Sequence, residues 1–364
     1  LEVALRLSQL LRVMGQTEGG GGGVVACEAE LRRALGLAAG DSGAGAAAAA
    51  GKLPPGRRAV LARLVLLLCQ EGREEEALPL LKRGGWRYRL APWVLRYPAP
   101  CAEDGDASPD FIRVMDDAWP PSLLGHLRKL FAQGGSFWQE HGYSEVLGSG
   151  ERGYFSYLHA LTGPPRSTMD LAVRHVLATA RVHFPALAEA TVAEWWAHCR
   201  PHACGHQLHF DSDNEGIGGA RNPICAAITF VEAPPGVGGP TLITDQRLGD
   251  DTLAASGWLV YPKQGRLAIY DGSFLHGVVP GHGEAPSDAA PGARRTTFMV
   301  AFWREIKTRP FGADGLAGSS RPAPDPSAPL SVGPRRYTWH QELELAASQG
   351  LLSGGEVPVV SRQV

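Results

Sequence analysis

The chain has 364 residues, a formal net charge of −2 and 44% hydrophobic residues, as is ordinary for globular proteins. Its length allows about two domains, and its near-neutral charge excludes a broad basic surface for nucleic acid or anionic membranes.

The six cysteines have no CxxC spacing, which favours free thiols in an intracellular protein over a zinc site or disulfide framework and leaves secretion open. No apolar run reaches the length of a membrane span. Since the chain begins at Leu1, we expect a fragment, so the lack of a signal or transit peptide here says nothing about the compartment.

The first quarter of the chain predicts helices. Residues 1–15 and 24–37 have helical periodicity and are separated by the run GGGGG. Residues 38–57 are rich in alanine and glycine and predict a linker or an expanded loop. Residues 58–83 predict a second pair of helices, so the pattern of the first pair is repeated.

The region 1–95 therefore resembles degenerate tetratricopeptide repeats with Gly/Ala-rich insertions. Gly72 and Ala77 are five residues apart, as in the turn between the two helices of such a repeat. The alternative is a helical cap on the domain that follows. True repeats would favour a peptide or protein substrate, because helical repeats form concave peptide-binding surfaces.

The next two hundred residues predict a mostly β domain with helices on one side. Residues 110–133 predict a short strand followed by an amphipathic helix, and residues 168–183 predict a second helix. Short apolar strands punctuated by glycine and proline then follow, up to the run RRTTFMVAFW. This spacing predicts an all-β sandwich or a closed barrel, of which the double-sheet jelly roll builds a metal site in its mouth.

Three residues of this domain have the chemistry to hold one metal ion. They are His209 and Asp211 in the motif HFD, and His276 in FLHGVVPG. Two imidazoles and one carboxylate on one face of a metal leave the opposite positions open, which suits non-haem Fe(II). An isolated HxD is more often a surface pair, so the prediction depends on the ordered strands around the motif.

Four motifs occur in order along residues 110–305: HFD, GGPT, GRLAIYDG followed by LHGV, and Arg-x-Thr at the last strand. With these motifs, the segment resembles the Fe(II)/2-oxoglutarate-dependent oxygenases of the prolyl-4-hydroxylase-like branch. The resemblance implies a double-stranded β-helix (jelly roll) with covering helices, with His209, Asp211 and His276 as ligands of Fe(II). It also implies 2-oxoglutarate and O2 as co-substrates, ascorbate as reductant, and C–H hydroxylation that yields succinate and CO2. Two features depart from the family pattern: CRPH stands where the family often has a tyrosine, and GGPT where many members have GGET.

The resemblance further implies a cation for the distal carboxylate of 2-oxoglutarate, and Arg294 and Arg295 open the last strand. Side chains alternate across a strand, so Arg295 shares a face with Thr297 and Met299, whereas Arg294 shares a face with Phe298. The bulky apolar face suits covering helices. We therefore predict that Arg295 is the anchor and that Thr297 donates a supporting hydrogen bond, with Arg294 as the alternative.

Polar residues near the motif have two interpretations each. His202 and His206 are either partners of the metal ligands or solvated loop histidines. Asp213, Asn214 and Glu215 either form the rim of a substrate entrance or belong to a polar loop without that role.

The sequence thus predicts three parts: a helical region at 1–95, an oxygenase domain at 105–307, and a poorly ordered Pro/Gly-rich tail at 308–364 with a short helix. The favoured function is a dioxygenase that hydroxylates a C–H bond of a peptide or protein. One alternative is a non-catalytic jelly-roll module that binds a metal or acts as a scaffold through its helical arm. Another is a cupin-type isomerase or dioxygenase, but those sites often have three or four histidines.

Overall fold

The computed structural model describes most of the predicted oxygenase domain and parts of the helical region. The described residues are 3–4, 7–8, 11, 22–37, 53–71, 73–84, 112–143, 155–165, 167–213, 219, 221–251, 254, 257–282, 285–307 and 320–322. The helices are α1 (Gly22–Leu35), α2 (Pro55–Gln70), α3 (Glu74–Arg83), α4 (Pro121–Leu130), α5 (Ser136–Glu140) and α6 (Thr168–Arg181), with a 3-10 helix at Pro185–Glu189. The strands are β1 (Ile112–Met115), β2 (Ser156–Ala160), β3 (Val192–Pro201), β4 (His206–His209), β5 (Cys225–Glu232), β6 (Thr241–Arg247), β7 (Gly257–Val260), β8 (Leu267–Asp271), β9 (Phe274–Val278), β10 (Arg294–Trp303) and β11 (Ser320–Pro322).

The helices α1, α2 and α3 pack around a small core of their own. Leu31 of α1 and Leu64 of α2 are fully buried in it. Arg73 links α1 to α3, because its guanidinium lies 2.5 Å from Glu28 of α1 and 2.7 Å from Glu76 of α3. The helices predicted at 24–37 and 58–83 are thereby confirmed, whereas their identity as repeats stays a prediction.

The strands form two sheets, of seven strands in the order β1-β8-β5-β10-β3-β2-β11 and of four in the order β4-β9-β6-β7. Between β3 and β10 the chain crosses repeatedly between the sheets: β3, β5, β8 and β10 lie in the larger, and β4, β9 and the hairpin of β6 and β7 lie in the smaller. Neighbouring strands are antiparallel except for β2 and β11. A mostly β core of two antiparallel sheets with accompanying helices is therefore confirmed.

The strand β11 corrects one expectation. It lies within the tail that was expected to be poorly ordered, and it pairs in parallel with β2. The helix expected at YTWHQELELAASQG lies outside the described residues.

The two faces of the larger sheet bury different layers. One face packs under α4, α5 and α6, where Phe298 and Val300 of β10 and Trp195 of β3 are almost fully buried. Met299, on the opposite face, packs with Ile243 and other residues of the smaller sheet. We call the first layer the helix-covered core. Its composition confirms the strand phase predicted for RRTTFMVAFW.

The cysteines at positions 27, 69, 199, 204 and 225 are buried and form no disulfide bond within the described residues, while Cys101 lies outside them. None of the described helices combines the length and the apolar character that crossing a membrane requires.

Candidate metal centre

The strands β4 and β9 bring the two predicted histidine ligands together. His209 ends β4 and lies opposite His276 in the antiparallel register with β9. Asp211 follows β4 by two residues, and its Oδ1 lies 3.5 Å from Nε2 of His209 and 3.7 Å from Nε2 of His276. The candidate ligand atoms of the three side chains all lie within 4.8 Å of one another. Among the described residues, they form the group of His, Cys, Asp or Glu side chains that is close enough to share a metal ion.

Backbone carbonyls orient both imidazoles for metal binding. Nδ1 of His209 lies 2.9 Å from the carbonyl oxygen of Gln207, and Nδ1 of His276 lies 2.9 Å from that of Phe274. A carbonyl oxygen only accepts, so each Nδ1 carries the proton and donates it. In the neutral rings, the lone pairs of both Nε2 atoms therefore lie beside Asp211, as a metal ligand requires.

The carboxylate of Asp211 also suits a metal. Its Oδ2 is buried and has no hydrogen-bond partner among the described residues, which is costly for an anionic oxygen. Burial alone would raise the pKa of Asp211, but the positive charge that His276 carries when protonated and a hydrogen bond from His209 lower it below its ordinary value. Asp211 is thus ionised. A divalent cation would satisfy both the charge and the unpartnered oxygen.

Arg295 lies buried beside a glycine-rich loop at the start of β10. Only 2% of the residue is exposed, and its Nη1 donates a 2.6 Å hydrogen bond to the carbonyl oxygen of Gly239. A Cβ on Gly239 would lie 1.9 Å from the carbonyl oxygen of Val279, so glycine is required there. The GGPT segment thereby lets the loop approach β9 closely and holds the guanidinium.

The alternation along β10 separates the two candidate arginines. Arg295 and Thr297 are buried on the same face as Met299, which packs against the smaller sheet. Arg294 is half-buried and lies on the face of Phe298, which belongs to the helix-covered core. Arg295 is therefore the arginine whose face turns toward the layer between the sheets.

His202 connects two loops and is not a solvated residue. It is buried, its Nδ1 accepts a 3.0 Å hydrogen bond from the backbone N–H of Gly238, and its Nε2 donates to the carbonyl oxygen of His282 at 3.2 Å. The solvated interpretation is therefore wrong. His202 ties the loop that holds Arg295 to the loop that precedes β10.

His206 contacts a ligand without joining the group of metal-binding atoms. Its ring centroid lies 4.6 Å from that of His209, and its Nδ1 accepts a 2.6 Å hydrogen bond from Nη2 of Arg200. Burial and then the charge of Arg200 lower the pKa of His206, so the ring is neutral.

The contacts of Asp213 favour a structural role in its loop over a position on the rim of a substrate entrance. Its carboxylate is buried, forms an ion pair with Arg221, and accepts a 2.9 Å hydrogen bond from the backbone N–H of Lys307. Asn214 and Glu215 lie outside the described residues.

Sequence reasoning missed three neighbouring residues, of which Tyr143 and Arg200 are buried and His198 is half-buried. Arg200 and His198 lie two residues apart on β3, and the hydroxyl of Tyr143 lies 3.3 Å from Nδ1 of His198. The alternation of EWWAHCR places His198 and Arg200 on one face, which was a usable signal. The register that sets this face opposite Arg295 is visible only in the structure.

No family model matches the chain, and no curated protein matches it. Among solved structures it is similar to a prolyl-4-hydroxylase of Pseudomonas putida, with 15% identity over 53% of this chain and 92% of that chain at a TM-score of 0.35. AviO1 of Streptomyces viridochromogenes Tue57 has 15% identity over 53% and 90% of the chains, with a TM-score of 0.35. The viral collagen prolyl hydroxylase of Paramecium Bursaria Chlorella virus-1, in its 2OG complex, has 11% identity over 56% and 98%, with a TM-score of 0.32. The functional assignment therefore rests on the chemistry of the site.

Proposed function

We propose that the chain is an Fe(II)- and 2-oxoglutarate-dependent dioxygenase that hydroxylates a C–H bond. The observation that carries the proposal is the convergence of His209, Asp211 and His276, with both Nδ1 atoms engaged by backbone carbonyls and one Asp211 oxygen buried without a partner. This donor set is the one that leaves adjacent positions of Fe(II) open for a co-substrate and O2.

We propose that the domain at 105–307 is a double-stranded β-helix. The alternation of consecutive strands between the two sheets supports this assignment, since a jelly roll winds its chain from one sheet to the other. The ligands then come from β4, from β9 and from the loop after β4, at one end of the sandwich. The tail at 308–364 is proposed to be a separate extension that adds β11 to the larger sheet.

Each metal ligand has a separate role in the proposed reaction. When bound, Fe(II) would supply the oxidative decarboxylation of 2-oxoglutarate by O2 to succinate and CO2. One oxygen atom of O2 enters succinate, and the other is inserted into the substrate C–H bond. His209 and His276 present neutral Nε2 atoms toward the metal position, and Asp211 contributes the negative charge. Ascorbate is the reductant expected to keep the iron ferrous.

Arg295 is proposed to bind the distal carboxylate of 2-oxoglutarate. A guanidinium presents a planar fork of N–H donors that matches a carboxylate, and burial strengthens such a charge-assisted bond. The bond from Arg295 to Gly239 fixes the direction of the fork. Thr297 is proposed to add a hydroxyl from the same face of β10.

Succinate production tests the proposal directly. Purified protein with Fe(II), ascorbate and 2-oxoglutarate is expected to release succinate, and His209→Ala is expected to abolish that release without unfolding the chain. His126→Ala, on α4, is the matched control and should retain turnover. Silence of folded, iron-loaded wild-type protein across varied peptides and metabolites would favour the non-catalytic scaffold.

We further propose that the substrate is a peptide or protein and that α1, α2 and α3 belong to tetratricopeptide-like repeats. The two helices α2 and α3 follow one another closely, and all three share one core, as helical repeat units do. Incubation with candidate peptides followed by mass spectrometry should reveal a gain of one oxygen atom. Succinate release that is stimulated by a small metabolite and by no peptide would overturn this substrate class.

A further inference from the structure

Two buried arginines face the same layer of the molecule from adjacent strands. Arg200 of β3 and Arg295 of β10 are direct partners in the antiparallel register, so their side chains leave the sheet on the same face. Arg200 is 7% exposed and Arg295 is 2% exposed. Like charges directly opposite one another destabilise a sheet, and burial removes the water that would screen them. An anion bound between the two guanidiniums would offset this repulsion.

Within the described residues, no anionic group pairs with Arg200. Its guanidinium donates to the carbonyl oxygen of Gly205 and to Nδ1 of His206, and its Nη2 lies 3.4 Å from Nε2 of His198. All three of these partners are neutral acceptors. The Nε of Arg200 is buried and has no hydrogen-bond partner, and no carboxylate within the described part of the chain pairs with this residue. The positive charge of Arg200 therefore has no anionic partner in the part of the chain that the structure describes.

The groups around the arginine pair are neutral and lie next to the metal ligands. His198 is paired with Thr297 in the same two strands, one step along from the arginines. Burial, and then the charges of Arg200 and His206, lower the pKa of His198, which is therefore neutral as well. His206 connects the pair to the metal site, because its ring contacts that of His209. An anion bound here would lie beside the metal position.

We propose that Arg200 and Arg295 bind the distal carboxylate of 2-oxoglutarate together, as a clamp of two guanidiniums. The inference rests on the proposed function and names a second positioning residue for its co-substrate. A carboxylate has two oxygens with about four acceptor sites, enough for two guanidiniums. The keto-acid end of the co-substrate belongs at the metal, which leaves the distal carboxylate for the arginine pair. The clamp would make the site selective for 2-oxo diacids over 2-oxo monoacids.

Binding measurements without turnover test the clamp. Calorimetry on Mn(II)-loaded protein would compare 2-oxoglutarate with 2-oxopentanoate, which has the same keto-acid end and no distal carboxylate. In Arg200→Gln, loss of a charge-assisted bond is expected to weaken binding of 2-oxoglutarate by about tenfold to a hundredfold. Binding of 2-oxopentanoate should change by less than about twofold, because its contacts do not include the clamp.

Two further variants keep the result interpretable. Arg200→Lys retains the charge without the fork, so it should weaken binding of 2-oxoglutarate by a smaller factor even where Arg200→Gln folds poorly. Arg174→Gln, on α6, removes an exposed arginine whose Nη2 donates to the carbonyl oxygen of Gly163, and it should leave both affinities unchanged.

The outcomes separate the clamp from the proposed function. Equal weakening of both keto acids in folded Arg200→Gln or Arg200→Lys would place Arg200 at the metal end and overturn the clamp. Unchanged affinity for 2-oxoglutarate in those variants would also overturn it, while the dioxygenase proposal stands. Wild-type protein that binds Mn(II) but neither keto acid would contradict the proposed function itself.

Discussion

The two faces of the larger sheet are built on different principles. Under the helices, the face that carries Trp195, Phe298 and Phe302 is apolar and almost fully buried at these positions, with the half-buried Arg294 at its edge. The opposite face is apolar around Met299, which packs in the layer between the sheets. Toward the start of β10 this face becomes polar, and Arg295 and Arg200 are buried there. Packing accounts for the first face, whereas the second needs another explanation.

The difference teaches where to look for function. A buried guanidinium usually stabilises a fold less than an apolar side chain of similar volume, so its presence is not explained by stability. Local departures from the rules of core composition concentrate at functional sites. The polar end of the sheet lies beside His209, Asp211 and His276, which is the position where a co-substrate would bind.

The largest effect on stability is expected on the apolar face. Phe298→Ala removes a fully buried ring of the helix-covered core and should lower the free energy of unfolding by about 3–5 kcal/mol, measured by urea denaturation. The folded variant should keep the wild-type KM for 2-oxoglutarate. A loss of stability below about 1 kcal/mol would contradict the assignment of this face to packing.

A smaller effect, on binding instead of stability, is expected on the polar face. Arg295→Ala should raise the KM for 2-oxoglutarate by about tenfold to a hundredfold, because a charge-assisted bond to the carboxylate is lost. Initial rates of succinate release measure this change, and equilibrium dialysis should find the affinity for Fe(II) nearly unchanged. A variant that loses iron but keeps its KM would refute the role of Arg295 as the anchor.

The smallest effect is expected for the neighbouring arginine. Arg294→Ala changes a half-buried residue on the helix-covered side, and its KM should stay within about twofold of wild type, as is usual for substitutions away from a site. Should Arg294→Ala raise the KM and Arg295→Ala leave it alone, the assignment of faces along β10 is wrong by one residue.

Local pattern was sufficient to predict β10 and the faces of its side chains. The run RRTTFMVAFW coincides with β10, and its alternation assigned Phe298 to the helix side and Met299 to the other side. These properties depend on neighbours in sequence, so they are readable without a structure. A strand of three residues in a Pro/Gly-rich segment, such as β11, has too little pattern to be recognised.

Contacts between distant segments were not predictable in the same way. The sequence allowed His202 to be either a solvated loop residue or a partner of the metal ligands, but it is a buried residue that connects two loops by hydrogen bonds. The pairing of Arg200 with Arg295 depends on the register of β3 and β10, which the strands' own sequences do not specify. Polar side chains therefore need tertiary structure before their roles can be assigned.

Metal binding tests the shared site most directly. Equilibrium dialysis with Mn(II), monitored by the paramagnetic resonance of the free ion, should find one bound ion per wild-type chain. Since loss of even an outer partner of a ligand costs roughly tenfold to a hundredfold in affinity, each of His209→Ala, Asp211→Ala and His276→Ala should weaken binding by more than about a hundredfold. Folded wild-type protein that binds no ion, or any of these variants with wild-type affinity, would contradict a common metal centre.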